Sequence, residues 1–150
     1  MKKRYLFWIT LAEGVGALAG WLSRDAVASF GDTFAQPALT PPNWVFPLVW
    51  GILYALMGIS AARIASTEKQ PGLNLWIVQL AVNFFWPLLF FNAHVFGFAA
   101  IWLGLLWVLV LVMILRFRKA DPLAAVLQLP YLLWLTFALY LNLAVWQLNP

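Results

Sequence analysis

Three stretches of the sequence set aromatic and amide side chains at helical spacing. Phe46, Trp50, Tyr54 and Met57 recur every three or four residues, as do Gln79, Asn83, Trp86 and Phe90. Farther along, Trp134, Ala138 and Asn142 share one side of a helix, with Tyr131 close by. Positions three and four apart lie on one helix face, so each stretch presents flat rings together with hydrogen-bonding groups. In small bundles such faces are usually packing seams. Amides at membrane depth shift that balance, because in lipid they need partners and turn inward, toward another helix or a cavity. Rings and amides around one space suit a large, planar, mostly apolar ligand and do not suit a small ion. The expected ligand-binding set is therefore Trp50, Tyr54, Gln79, Asn83, Trp86, Phe90, Trp134, Ala138 and Asn142.

Other chemistry has little to work with. The chain has no cysteine and one histidine, which removes thiolate nucleophiles, disulfides and the common zinc patterns. His94 falls in a tight turn beside Asn92, with no second ligand to make a haem site. No metal site and no cofactor are expected. Glu13 is the one ionisable residue near the middle of an apolar run. A central acidic residue costs about 2.5–3.5 kcal/mol in lipid even on the lower scales, so Glu13 must face the bundle interior. It is either a structural hydrogen-bonding group or a proton-coupling carboxylate.

The elements that position these residues follow from composition. Of the 150 residues 65% are hydrophobic and only 9% charged, against roughly 45–50% and about 25% in a soluble domain. The expectation is an all-α integral membrane protein, a single domain over 1–150 built as a five-transmembrane-helix bundle. Apolar runs long enough to cross a bilayer lie at Tyr5 to Leu22, Trp44 to Ala65, Leu73 to Phe91, Val95 to Leu115 and Leu123 to Trp146. The longest connection, Ser23 to Asn43, is stiffened by Pro37, Pro41 and Pro42 and is read as an outer lid. Pro87 and Pro130 are expected to disturb the third and fifth helices. Gly16 and Gly20 form a GxxxG pair, expected to make a close helix contact inside the bundle.

Lys2-Lys3-Arg4 followed by apolar residues and Ala17-Leu18-Ala19 imitates a secretory signal. Glu13, Gly14 and Gly16 interrupt its hydrophobic region, so an uncleaved first span is expected. With five spans, Lys2, Lys3, Arg4, Arg63, Lys69, Arg116, Arg118 and Lys119 share one side and Arg24 stands alone on the other. The positive-inside rule then puts the N-terminus in the cytoplasm and the C-terminus outside. The net charge of +4 is thus a topology signal and no indication of nucleic-acid binding. Trp21, Trp44 and Trp146 at one interface, and Tyr5, Trp8 and Trp76 at the other, are expected to anchor the helices as an aromatic belt. The same topology maps most of the expected site residues to the outer half, beneath the long connection.

Three ordered motifs go further. Pro41-Pro42-Asn43-Trp44-Val45-Phe46-Pro47 continuing through Val49-Trp50 and Leu53-Tyr54, then Gln79-Leu80-Ala81-Val82-Asn83 with Trp86 and Phe90-Phe91, then Pro130-Tyr131 with Trp134, Ala138 and Leu141-Asn142 together resemble the translocator-protein (TspO, tryptophan-rich sensory protein) family over nearly the whole chain. The resemblance implies a five-helix fold, commonly a homodimer in bacterial members. It also implies a pocket under the first loop that binds porphyrins such as protoporphyrin IX and benzodiazepine-type ligands, with Trp50, Asn83, Trp86, Trp134 and Ala138 at pocket-lining positions. The first loop departs from the family pattern, with Phe30-Gly31 where many members carry Trp-Tyr, and Gln36-Pro37-Ala38-Leu39 for a common Lys-Pro-x-Trp. The sterol-recognition pattern also fails, since no Lys or Arg follows Tyr140; a sterol stays open as a second ligand class. The reading is a membrane receptor or carrier for a porphyrin or similar tetrapyrrole. Its rivals are a porphyrin-degrading enzyme and a proton-coupled exporter using Glu13.

Overall fold

A computed structural model describes residues 2–150. Among the described residues five helical segments are long and apolar enough to cross a membrane. Helix α1 runs Lys2–Thr33, α2 Val45–Ala65, α3 Leu73–Pro87 and α4 Phe96–Ala120. The last crossing is divided into α5 (Pro122–Val126) and α6 (Leu129–Leu148). No strand occurs among the described residues.

The largest departure from expectation is α1. The first span was expected to end at Leu22 and open into a loop from Ser23, yet the helix continues to Thr33 and leaves only residues 34–44 as the connection. At 1.5 Å per residue its 32 residues extend about 48 Å, well beyond a hydrocarbon core of about 30 Å. The polar run Ser23-Arg24-Asp25 ends the membrane stretch but not the helix. Ser23 returns its hydroxyl to the Ala19 carbonyl, Ser29 to Asp25 and Thr33 to Ser29. Phe30 anchors the extension, buried with Phe90, Phe96, Ala99 and Val145 in a small second core. The remaining connection is fastened to the far end of the chain, where the Asn149 amide accepts from the Ala35 N–H and donates to the Ala35 carbonyl.

The main core sits where α1, α2, α3, α4 and α6 meet, around Ala12, Met57, Ala61, Trp76, Leu103, Val110, Met113, Phe117 and Leu135. Trp76 is fully buried and donates its indole N–H to the Met57 carbonyl, so it is a core residue and not part of an interfacial belt. Trp21, Trp44 and Trp146 are exposed on the bundle surface, as anchors would be. Gly58 lets α1 pass directly across α2, since any Cβ there would strike the backbone of Ile9.

Both prolines mark irregularities. After Pro87, α3 widens into a π-helical turn at Leu88–Asn92, closed by the Ala93 N–H on the Leu88 carbonyl. The fifth crossing breaks at Leu127–Gln128, so that Pro130 lies in the first turn of α6, where its missing N–H costs nothing. Asp121 starts α5 by accepting from the Leu123 and Ala124 N–H groups and also pairs with Arg63 of α2 at 2.8 Å. Partial burial opposes its charge, but the Arg63 hydrogen bond and the two backbone donors outweigh that and hold the carboxyl below the ordinary range.

Candidate functional site

A cavity of about 530 Å³ opens among α1, α2, α3 and α6 beneath the 34–44 connection. Eight of the nine expected residues reach its wall: Trp50 and Tyr54 from α2, Asn83, Trp86 and Phe90 from α3 and its π-helical turn, and Trp134, Ala138 and Asn142 from α6. Gln79 does not. It is fully buried one turn below Asn83, accepting the Tyr131 hydroxyl at 2.7 Å, and stands behind the wall.

Rings make most of the lining. Trp50 stacks on Tyr54 with centroids 5.6 Å apart and meets Trp134 edge-on at 6.4 Å. Phe46 supports Trp134 from the connection side, and Trp86 stacks on Phe90 at 5.2 Å. The wall is fixed by hydrogen bonds across helices. Tyr54 donates to Asn83 Oδ1 at 2.7 Å, Asn83 Nδ2 donates to the Tyr131 hydroxyl at 2.7 Å, and that hydroxyl donates to Gln79. Higher up, Trp86 Nε1 donates to Asn142 Oδ1 at 3.0 Å, and Asn142 Nδ2 to the Phe96 carbonyl at 2.8 Å. The amides therefore hold the rings in place first. An amide nitrogen carries two hydrogens and its oxygen two lone pairs, so these internal bonds leave part of the hydrogen-bonding capacity of Asn83 and Asn142 unspent.

The first helix contributes a wall that sequence reading largely missed. Glu13, Gly16, Gly20, Ser23, Val27 and Phe30 all line the cavity, at alternating spacings of three and four. The signal was present in the numbering, but only for a helix that continues past Leu22. The two glycines of the GxxxG pair separate here. A Cβ on Gly16 would run into the Tyr54 ring, whereas one on Gly20 would meet nothing within 4 Å; the pair is one close contact and one stretch of open wall. Among the described residues no group hydrogen-bonds to the Glu13 carboxylate, which leaves it addressed to the cavity. Arg24, Gln36, Thr40 and Asn43 give the mouth a polar rim. His94 lies outside the cavity, exposed in its turn at φ +59° and packed on Phe34. No cluster of residues able to hold a metal ion occurs among the described residues.

The sequence profile of the TspO/MBR family matches residues 8–147. The chain belongs to that family. It is 40% identical over 124 residues to protein CrtK of Rhodobacter capsulatus, covering 79% of this chain and 78% of that one. It is 37% identical over 150 residues to a tryptophan-rich sensory protein of Cereibacter sphaeroides, covering 99% and 95%. Over 148 residues it is 38% identical to the translocator protein of Homo sapiens, covering 93% and 87%. Family membership and the five spans make it a multi-pass integral membrane protein of the TspO type. Of the two departures from the family's loop pattern, Phe30 and Gly31 lie in the last turns of α1, and Gln36-Pro37-Ala38-Leu39 lies in the 34–44 connection. Phe30 there joins a phenylalanine cluster with Phe34, Phe90, Phe91 and Phe96 at the top of the cavity.

Proposed function

We propose that this TspO-family member is a membrane receptor or carrier that buries a planar, mostly apolar ligand, a tetrapyrrole, in the cavity among α1, α2, α3 and α6. The observation that carries the reading is the composition of that wall: Trp50, Tyr54, Trp86, Phe90 and Trp134 supply flat apolar area, and Asn83 and Asn142 supply fixed polar points. Its volume of about 530 Å³ falls within the range typical of sites that enclose a small molecule. Hydrogen bonds between helices hold the wall residues in place, so little ordering opposes binding. On the same reading the basic end faces the cytoplasm and the cavity mouth faces outward. The test is a titration of purified protein with protoporphyrin IX in the dark, following tryptophan fluorescence. Saturable quenching at one ligand per chain is expected; linear, unsaturable quenching would remove the tetrapyrrole from the reading.

One observation favours a second reading. Among the described residues Glu13 has no hydrogen-bonding partner, and it lies on the cavity wall, which is the placement a proton-coupling carboxylate needs. If the chain exports its ligand against a proton gradient, Glu13→Gln should abolish gradient-driven flux in proteoliposomes while leaving equilibrium binding within about twofold. Flux that survives the substitution excludes coupling through Glu13.

A further inference from the structure

The α2–α6 seam is closed at one end only. Toward the basic end three polar contacts zip α2 to the α5 region: Arg63 to Asp121 at 2.8 Å, Ser60 Oγ donating to the Ala124 carbonyl at 3.0 Å, and Gln128 Nε2 donating to the Leu56 carbonyl at 3.3 Å. The break at Leu127–Gln128 then redirects the chain. Beyond it the backbones of α2 and α6 scarcely approach each other, and no direct hydrogen bond joins the two helices among the described residues. The seam is filled by side chains instead.

On its lipid-facing side the seam forms an apolar groove between Ile52 and Leu53 on α2 and Pro130, Leu133 and Phe137 on α6. Ile52 and Leu133 are 54% and 71% exposed, toward what would be hydrocarbon. Leu53 is eight residues from the start of α2, about 12 Å along the helix, which sets the groove at membrane depth and not at the interface. Trp134 lines both this groove and the internal cavity. It is the one residue common to the two linings.

That indole is held differently from its neighbours. Trp76, Trp86, Trp102 and Trp107 each donate their N–H to a protein acceptor, whereas the buried Trp134 Nε1 has no partner among the described residues. Turning it aside breaks ring contacts with Phe46, Trp50 and Phe137 but no hydrogen bond. The opposite entrance is less permissive to an apolar molecule: it has a polar rim and lies under a connection clasped by Asn149.

We propose that the α2–α6 groove is a membrane-side vestibule, a second binding site that takes the planar apolar ligand from the lipid and passes it into the cavity when Trp134 swings aside. The proposal rests on the tetrapyrrole reading of the cavity. It gives the ligand a route from hydrocarbon to aromatic wall that never crosses water, so apolar surface is not rehydrated on the way.

The chain contains no cysteine, so a single thiol can be labelled after folding. Leu133→Cys places one on the groove and Leu39→Cys one on the connection over the mouth. Each is modified with a small methanethiosulfonate or a bulky maleimide in liposomes, and protoporphyrin IX is delivered in the dark from preloaded vesicles while tryptophan quenching is followed in time. The bulky label on Leu133→Cys is expected to slow both uptake and release about tenfold, with Kd within about twofold of the small-label form. The bulky label on Leu39→Cys should leave both rates unchanged. Equal rates for the two forms of Leu133→Cys, or slowing by the Leu39→Cys label alone, would overturn the vestibule while leaving the cavity reading intact. Failure of the unlabelled parent to take up protoporphyrin IX at all would instead sink the cavity reading, and the vestibule with it.

Discussion

Gly58→Leu is expected to cost about 3 kcal/mol or more of folding stability, at or beyond the upper end for overpacking, and to be the most damaging single change outside the cavity. The reason is what the new side chain meets. Its first carbon already collides with the Ile9 backbone, and a backbone held in a helix cannot swing aside as a flexible side chain can. Helices α1 and α2 must separate, which loosens the wall that carries Glu13 and Gly16 as well. Gly14→Ala is the control: nothing lies within 4 Å of its added carbon, and replacing a helix-interior glycine by alanine should be neutral or gain up to about 1 kcal/mol. Denaturation in detergent, monitored by circular dichroism, reads both. Similar midpoints for the two variants would mean that α1 and α2 do not cross at Gly58 as described.

Trp134→Ala is expected to weaken binding of protoporphyrin IX about tenfold or more. Stacking on one aromatic side chain is worth about 1–3 kcal/mol for nucleic-acid bases, and about 1.4 kcal/mol is a factor of ten in affinity; that scale carries over loosely to another flat ring system. The indole N–H has no partner among the described residues, so the substitution removes ring area without orphaning an acceptor in the wall. Trp134→Phe, which keeps a ring, should recover most of the affinity. An alanine variant that binds within about twofold of the parent would return Trp134 to a packing role.

How much of this was legible in the sequence depends on the residue. The spacing of Trp50 and Tyr54, of Asn83, Trp86 and Phe90, and of Trp134, Ala138 and Asn142 follows helical geometry, and bundle topology then brings the three faces to one cavity. Gln79 shares its face with Asn83, yet depth separates them: Asn83 is at the cavity floor and Gln79 is one turn below, behind Tyr131. Sequence spacing gives the face and not the depth at which a cavity ends. The part of the α1 wall beyond Leu22, at Ser23, Val27 and Phe30, was missed because hydropathy reports where lipid ends, and the helix goes on: Ser23, Arg24 and Asp25 leave the membrane without leaving the helix. Trp76 was misplaced for a related reason. Its position near a span end suits an interfacial anchor, but its rotation about α3 turns it onto Met57 and Trp8. The break before Pro130 was half visible, since a proline is tolerated in a helix's first turn, while the polar zipper at Ser60, Arg63 and Asp121 that fixes the chain before it depends on long-range contacts.

The central claim is that the tryptophans facing the cavity bind ligand and those facing lipid do not. Trp21 is 59% exposed on the outer surface of α1 and lies outside the cavity wall, so it provides the comparison. The most direct measurement is a side-by-side equilibrium titration of the parent, Trp21→Ala and Trp134→Ala with protoporphyrin IX, in the dark so that photodestruction of the ligand does not imitate lost affinity. Each protein is first shown to be folded by circular dichroism. The account predicts that Trp21→Ala matches the parent within about twofold and Trp134→Ala is weaker by about tenfold or more. Equal affinities for all three folded proteins, or a loss confined to Trp21→Ala, would contradict it.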